Sequence, residues 1–420
     1  MEMEKKEGVW ADEEERYKIA FCGFVNAESA GLSEREVSGP PVGWFVINVP
    51  DTDCLPLYPS SYLSKLKMRE KGNKAKEKKK VLSTDQPLKP ISVSFCNLYN
   101  HNAAIGSHLY SLGGPEDVFS NSSEDSIVSW RLDLNSPSDG WKRGSNMNVS
   151  RWDPQTLVLD GKLYALDSLL TDSPPSECGW MEVFDPDSAT WESLPNPPSP
   201  PPSCHQIRHN DFTCAVLESK KEILLAKHFV NDDDNLYFFT LYAFDVVTRC
   251  WTTLKPLKRK LYGCFPPSDD RRAVAVGTTL YWGAVSQDSH ELYLFYVQAY
   301  DLDKDVWLLG RLNTRPLFGK HEGPRSFDRS PRLLHLRDHI FCLLLHAYSS
   351  SPTTSYLYCL IVNIEPTSSP ILSDDDDDEE EEEEEEDDQL HKLKLSISII
   401  SVQKYPLNEV YSLWDNVLLP

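Results

Sequence analysis

The chain has 420 residues, of which 40% are apolar and 11% aromatic, and its formal net charge is −23. That much apolar material supports a sizeable core and excludes a wholly disordered polypeptide. An acidic surplus persists after two charged runs are set aside, and it repels phosphate backbones, which argues against general nucleic-acid binding.

The ten cysteines include no Cys-x-x-Cys pair, so neither a zinc ribbon nor a redox dithiol is indicated. No 18-residue apolar span occurs, and Met1 to Arg16 is acidic and polar rather than a secretion signal. These features predict free thiols, a cytoplasmic and/or nuclear location and no membrane contact.

In chain order, Tyr17 to Val25 and Trp44 to Val49 read as strands. Lys65 to Lys80 holds nine Lys/Arg and almost no apolar residues, so 65–80 is predicted to be a basic disordered insertion. A nuclear import signal or a contact with an anionic surface is its functional alternative. Ile105 to Leu112 reads as one strand ending in Gly113-Gly114, and Val128 to Leu134 follows. Next come Thr156 to Leu159, a tight turn at Asp160-Gly161, Lys162 to Leu166, Trp180 to Phe184, a turn at Asp185 to Ser188, and Thr190 to Leu194. Four antiparallel strands in about forty residues make one propeller blade. Pro197 to Pro202 favours polyproline II between blades.

The same order returns in Thr213 to Leu217, Ile223 to Ala226, Tyr237 to Phe244 and Trp251 to Leu254. It returns again in Ala273 to Val276, Thr279 to Gly283, Leu292 to Tyr300 and Trp307 to Leu309. A fifth copy comprises Leu333 to Leu336, Ile340 to Leu345 and Tyr356 to Val362. Asp374 to Asp388 is fifteen consecutive acidic residues, predicted to be an acidic disordered insertion (374–388). It is a solubilising segment, a recruiter of basic proteins or an occupant of the chain's own basic site. Leu393 to Val402 and Val410 to Trp414 are the last predicted strands.

An aromatic–Asp pair followed after five residues by Trp occurs three times, as Phe184-Asp185…Trp191, Phe244-Asp245…Trp251 and Tyr300-Asp301…Trp307. Leu132-Asp133…Trp141 is a looser copy with two extra residues. The tryptophans recur at intervals of 50, 60 and 56 residues, which marks a supersecondary unit repeated around an axis. Asp is expected to accept from backbone N–H groups in the turn, and Trp to bury apolar area between blades. Both are structural assignments. Both chain ends are assigned to one shared blade, because closing a ring removes open sheet edges. The predicted fold is therefore all-β, a single β-propeller over 17–414 with six four-stranded blades. Five blades with a small appended sheet is the alternative.

Gly113-Gly114, the Asp…Trp pairs and Tyr164 or Tyr281 in the second strand of a repeat resemble the kelch family of β-propellers, over roughly residues 91–365. The copies are divergent: the Gly doublet is replaced by Leu166-Asp167-Ser168 in the second repeat and Trp282-Gly283-Ala284 in the fourth. The pattern is similar to plant kelch-like proteins, many of which carry an N-terminal F-box. No such helical segment is expected in the sixteen residues before Tyr17. The resemblance implies a non-catalytic protein-interaction scaffold that binds through inter-blade loops. An oxidase-like enzyme on the same fold and a substrate adaptor for a ubiquitin ligase are the alternatives.

No phosphate-cradling loop, dinucleotide fingerprint or nucleophile elbow is present, and no catalytic residue or cofactor is predicted. His205/His209 and His335/His339 are each four residues apart. In strands such positions lie about 13 Å apart, too far to share a metal. Arg151, Arg208, Arg272 and Arg332 each stand at or shortly before the first strand of a repeat. A guanidinium offers five donors in a fork that suits carboxylates. The kelch resemblance places these positions on the face around the central channel and implies an acidic peptide as partner. The plain alternative is that each Arg satisfies loop carbonyls or is solvated. The chain is expected to be monomeric.

Overall fold

Short apolar stretches rich in aromatic and β-branched residues, separated by turn residues, fold as antiparallel hairpins, and they do so throughout the described residues. The computed structural model describes residues 16–25, 41–50, 82–83, 87–95, 101–113, 127–151, 153–166, 178–198, 204–206, 212–231, 237–259, 272–285, 294–317, 326–348, 354–370, 393–408 and 410–419. The predicted insertions at 65–80 and 374–388 lie outside the described residues. Among the described residues no helix is long and apolar enough to cross a membrane.

The chain begins with β1 (Arg16–Val25), β2 (Pro41–Pro50), β3 (Leu82–Ser83) and β4 (Ser92–Phe95). The first repeat is β5 (His101–Ile105), β6 (His108–Leu112), β7 (Ser129–Asp133) and β8 (Lys142–Arg143). The second is β9 (Gln155–Leu159), β10 (Lys162–Leu166), β11 (Cys178–Asp185) and β12 (Thr190–Pro195). The third is β13 (Cys204–Gln206), β14 (Phe212–Leu217), β15 (Glu222–Asn231), β16 (Tyr237–Asp245) and β17 (Cys250–Arg259). The fourth is β18 (Val274–Val276), β19 (Thr279–Val285), β20 (Leu294–Asp301) and β21 (Val306–Asn313). The fifth is β22 (Ser326–Arg337), β23 (Ile340–Tyr348), β24 (Thr354–Pro370) and β25 (Leu393–Asn408), and β26 (Val410–Leu419) ends the chain.

Strands pair with their chain neighbours in each repeat, save that β13 and β14 both pair with β15, and β26 and the N-terminal strands share one sheet of order β26-β1-β2-β4. Two expectations are corrected. Ile105 to Leu112 is a hairpin rather than one strand: Gly106, at φ +54°, turns the chain between β5 and β6. Leu393 to Val402 does not lie beside the N-terminal strands. It opens β25, which pairs with β24 from Asn408 opposite Thr354 to Leu393 opposite Pro370. Leu395, Ile397 and Ile399 are buried with Leu360, Val362 and Ile364 of β24 and with Leu308 and Leu312 of β21. Gly310 permits this approach, since a Cβ there would stand 2.7 Å from Ile397 Cδ1. The fourth and fifth repeats thereby merge through a short parallel contact of β21 with β25. Among the described C-terminal strands, β26 pairs with β1, whose other neighbour is β2.

The core is laid down between neighbouring sheets. Tyr110 and Leu112 meet Leu163 and Phe184. Leu166 and Trp180 meet Phe212 and Tyr242. Leu224 and Phe239 meet Trp282 and Trp307. Phe295 and Leu308 meet Phe341 and Leu360. Leu344 and Ile361 meet Phe21 and Ile47, and Cys22 and Trp44 return to Leu109 and Leu132. These layers run once around and close on the first sheet, which is the arrangement of a β-propeller.

The repeated motif builds these layers. In each copy the aromatic residue stands opposite the Trp across the last hairpin, with ring centroids 5.1 Å apart for Phe184–Trp191, 5.0 Å for Phe244–Trp251 and 4.7 Å for Tyr300–Trp307. The Asp then caps the turn. Asp245 Oδ1 accepts from the N–H groups of Val247 and Thr248 at 2.8 and 2.9 Å; Asp185 and Asp301 repeat the pattern. The last turn residue is left-handed in each copy, at Ala189, Arg249 and Asp305. Each Trp reaches back to the preceding repeat. Trp191 Nε1 donates to Ser145 O at 3.1 Å and Trp251 Nε1 to Pro195 O at 2.9 Å. Trp307 packs edge-on against Phe239, and Trp141 of the looser copy lies 5.4 Å from Trp44.

Trp307 is buried, whereas Trp191 and Trp251 are half-buried. Trp307→Ala should therefore cost about 3–5 kcal/mol in denaturant melts, and the other two Trp→Ala changes distinctly less. Equal losses at all three would contradict this ranking.

The Thr248 and Val247 N–H groups hold the Asp245 carboxyl below the ordinary carboxylate range. Lys162, then the Asp187 N–H, does the same for Asp185. Burial pushes Asp301 up, but the Lys304 ammonium and N–H outweigh it and leave it low. A depressed folded value gives stability that is complete above the unfolded value of about 3.9 and is lost as pH falls through the folded value. The stability difference between wild type and Asp245→Ala, from urea melts, should thus shrink as pH falls below about 4. A difference independent of pH would show that the carboxylate charge plays no part.

Because β1 lies between β2 and β26, removal of residues 1–50 should expose β26 and either abolish soluble expression or lower the melting temperature strongly. A truncated chain that melts like the full one would rule this closure out.

Candidate functional site

Edge strands of the sheets touch one another in a cycle: β5 with β9, β9 with β14, β14 with β18, β18 with β22, β22 with β26, and β26 with β5. They surround a cavity of about 590 Å³. Its polar end is lined by Asn102 and Thr156 near the starts of β5 and β9, Arg272 just before β18, Arg332 within β22 and Asn416 near the end of β26; Glu218, Ser219 and His335 also line the cavity. Its middle is apolar, with Ala104, Val158, Val274 and Leu418 in the wall.

Under the polar end lies Asp415, which is 3% exposed. A buried carboxylate must be paired and hydrogen-bonded to be tolerated, and four donors serve this one. Asn102 donates to Oδ2 through its main-chain N at 2.9 Å and through Nδ2 at 3.1 Å. The Asn416 N–H donates to Oδ1 at 2.8 Å, and Arg272 Nη2 donates to the same oxygen. Burial pushes the Asp415 carboxyl up, but the charges of Arg272, His101 and Arg332 and the Asn102 N–H outweigh it and hold it low. Thr156 Oγ1 donates to Asn102 O at 3.0 Å, and His101 Nε2 lies 2.8 Å from Asp153 Oδ1. The arrangement joins β26, β5 and the start of β18. It presents cationic and amide groups to the cavity and suits a ligand that carries carboxylates.

The four arginines singled out by their place in the repeats have different fates. Arg272 and Arg332 line the cavity together. Arg208 lies outside the described residues. Arg151 requires a correction, because it is fully buried rather than presented to a partner. Its guanidinium donates to Trp180 O at 3.0 Å, to Gly179 O at 2.7 Å and to Glu182 Oε1 at 3.1 Å. Glu182, also buried, accepts in addition from the N–H groups of Asn148 and Val149 at 2.7 and 2.9 Å. This closed network anchors the connection between the first two repeats to β11.

His335 Nε2 pairs with the Asp338 main-chain oxygen at 3.0 Å; the residues 205 and 209 include one in β13 and one outside the described residues. Among the described residues no group of three or more His, Cys, Asp or Glu is gathered to hold a metal ion. Asp415 and Asn102 escaped the sequence reading. A signal for Asp415 was present, since it is the one charged residue of β26, and a lone carboxylate in an apolar strand needs a partner.

No family model matches the chain. Curated proteins of Arabidopsis thaliana described as F-box/kelch-repeat proteins do match parts of it. One is 40% identical over 94 residues, 22% of each chain. A second is 34% identical over 143 residues, 33% of this chain and 31% of the relative, and a third 34% identical over 112 residues, 27% and 25%. The match thus spans about a fifth to a third of these relatives' length. Over part of its length the chain is similar to kelch-repeat proteins, and its ring of antiparallel sheets is consistent with a kelch-type β-propeller.

Proposed function

We propose that the protein is a non-catalytic interaction scaffold that takes an acidic protein partner at the polar mouth of its central cavity, with Arg272 and Arg332 as the contacts. The observation that carries this reading is the convergence of both arginines, from different repeats, on one cavity. Guanidinium groups on separate strands match a peptide bearing several carboxylates better than a single small anion. No covalent step and no cofactor enter this reading, and its setting is the cytoplasm and/or the nucleus. A second reading, favoured by the F-box/kelch-repeat names of the relatives, is that the scaffold serves as a substrate adaptor for a ubiquitin ligase. Co-purification of ligase subunits with the intact chain would support it, and their absence from such preparations would count against it.

The primary test is a titration of a fluorescent Glu-rich decapeptide against the wild type and Arg332→Glu. Binding should weaken steeply as salt rises, because charges are screened beyond about 8 Å at physiological ionic strength. Arg332→Glu should abolish binding; because it also places a like charge near the buried Asp415, a cooperative melt of the variant is the control for folding. Equal affinity for the two proteins would overturn the assignment.

A further inference from the structure

Arg151 and Arg272 each meet a carboxylate of the chain itself, and the two pairs differ in how open they are. Arg151 and Glu182 are both wholly enclosed, and the guanidinium also donates to two carbonyls. The Arg272 side chain is 21% exposed and stands in the cavity wall, whereas its partner Asp415 lies behind it at 2%. An incoming carboxylate can therefore reach Arg272 from the cavity, but nothing can reach Arg151 without unfolding its surroundings.

Resting on the reading that this mouth takes an acidic partner, we propose that Asp415 is a built-in competitor for Arg272 and sets which acidic ligands can bind. Asp415 holds Arg272 as a glutamate or aspartate of a partner would hold it. A ligand must offer Arg272 a carboxylate that outcompetes one already in place, so a single weakly placed anion fails and a peptide that engages Arg332 at the same time succeeds. The exchange is feasible because Asp415 is not orphaned when Arg272 turns away. It keeps the two Asn102 donors and the Asn416 N–H, and the charge of Arg332 still acts on it. Truncating one partner of a buried pair is costly because the other charge is left alone; here three hydrogen bonds remain. Binding is thereby coupled to β26, since the carboxylate that loses Arg272 belongs to the strand that closes the ring.

The test is the affinity of the same Glu-rich decapeptide for wild type and for Asp415→Asn, which keeps the shape and removes the competing charge. Affinity should rise about tenfold or more, the lower end of what close charge pairs contribute at interfaces. Equal or weaker binding by folded Asp415→Asn overturns the proposal and leaves the arginine mouth standing. Loss of binding by both folded proteins overturns the mouth and the proposal together. If Asp415→Asn does not fold, hydrogen exchange of the wild type decides. Saturating peptide should speed exchange across Val410–Leu419, and unchanged or slowed exchange there overturns the competitor role.

Discussion

One buried carboxylate does for this ring what a bolt does for a hoop. Asp415 lies on β26, yet its donors include Asn102 of β5 in the first repeat and Arg272 just before β18 in the fourth. Burying a charge costs several kcal/mol unless every lone pair is served. The geometry therefore selects the one arrangement in which the ends of the chain and the fourth repeat are correctly placed. Apolar layers are less discriminating, since any sheet can shift along a greasy neighbour.

Around that point the ring is held by a modest device used several times. A Trp on the outermost strand of a repeat is braced by the aromatic residue opposite, while an Asp in the turn fixes the hairpin that positions both. The indole then touches the previous repeat through a hydrogen bond or a ring contact. Stability in such arrays is roughly a sum of units and neighbouring interfaces. A long loop between strands is accordingly tolerated, because loop length adds entropy cost only slowly.

The sequence disclosed what is local and concealed what is not. Asp185, Asp245 and Asp301 act within their own turns, so their spacing to Trp sufficed to read the hairpins. The Asp160-Gly161 turn was legible for the same reason, since both residues take positive φ. Leu393 to Val402 was misplaced because its partner was decided by distant facts: the length of β24, and the absence of a side chain at Gly310 that lets β25 settle against β21. The arginines show the same division. Arg151 and Arg272 hold equivalent positions in their repeats, but one meets a carboxylate in an enclosed pocket and the other meets one at a cavity wall. Glu182 and Asp415 lie 31 and 143 residues from them, and no spacing rule relates such separations.

The pairing of β1 with β26 has a kinetic consequence. Its register joins residue 18 to residue 419, so the contact that completes the ring links strands very far apart in sequence. Contacts of such sequence separation are slow to form, because loop entropy must be overcome before they reward the chain. During synthesis β1 and β2 emerge well before β26. The β1 edge that β26 covers stays unsatisfied until that strand has been made. The protein is therefore most exposed to wrong strand pairing while it is still being made, and the C-terminal strand ends that exposure.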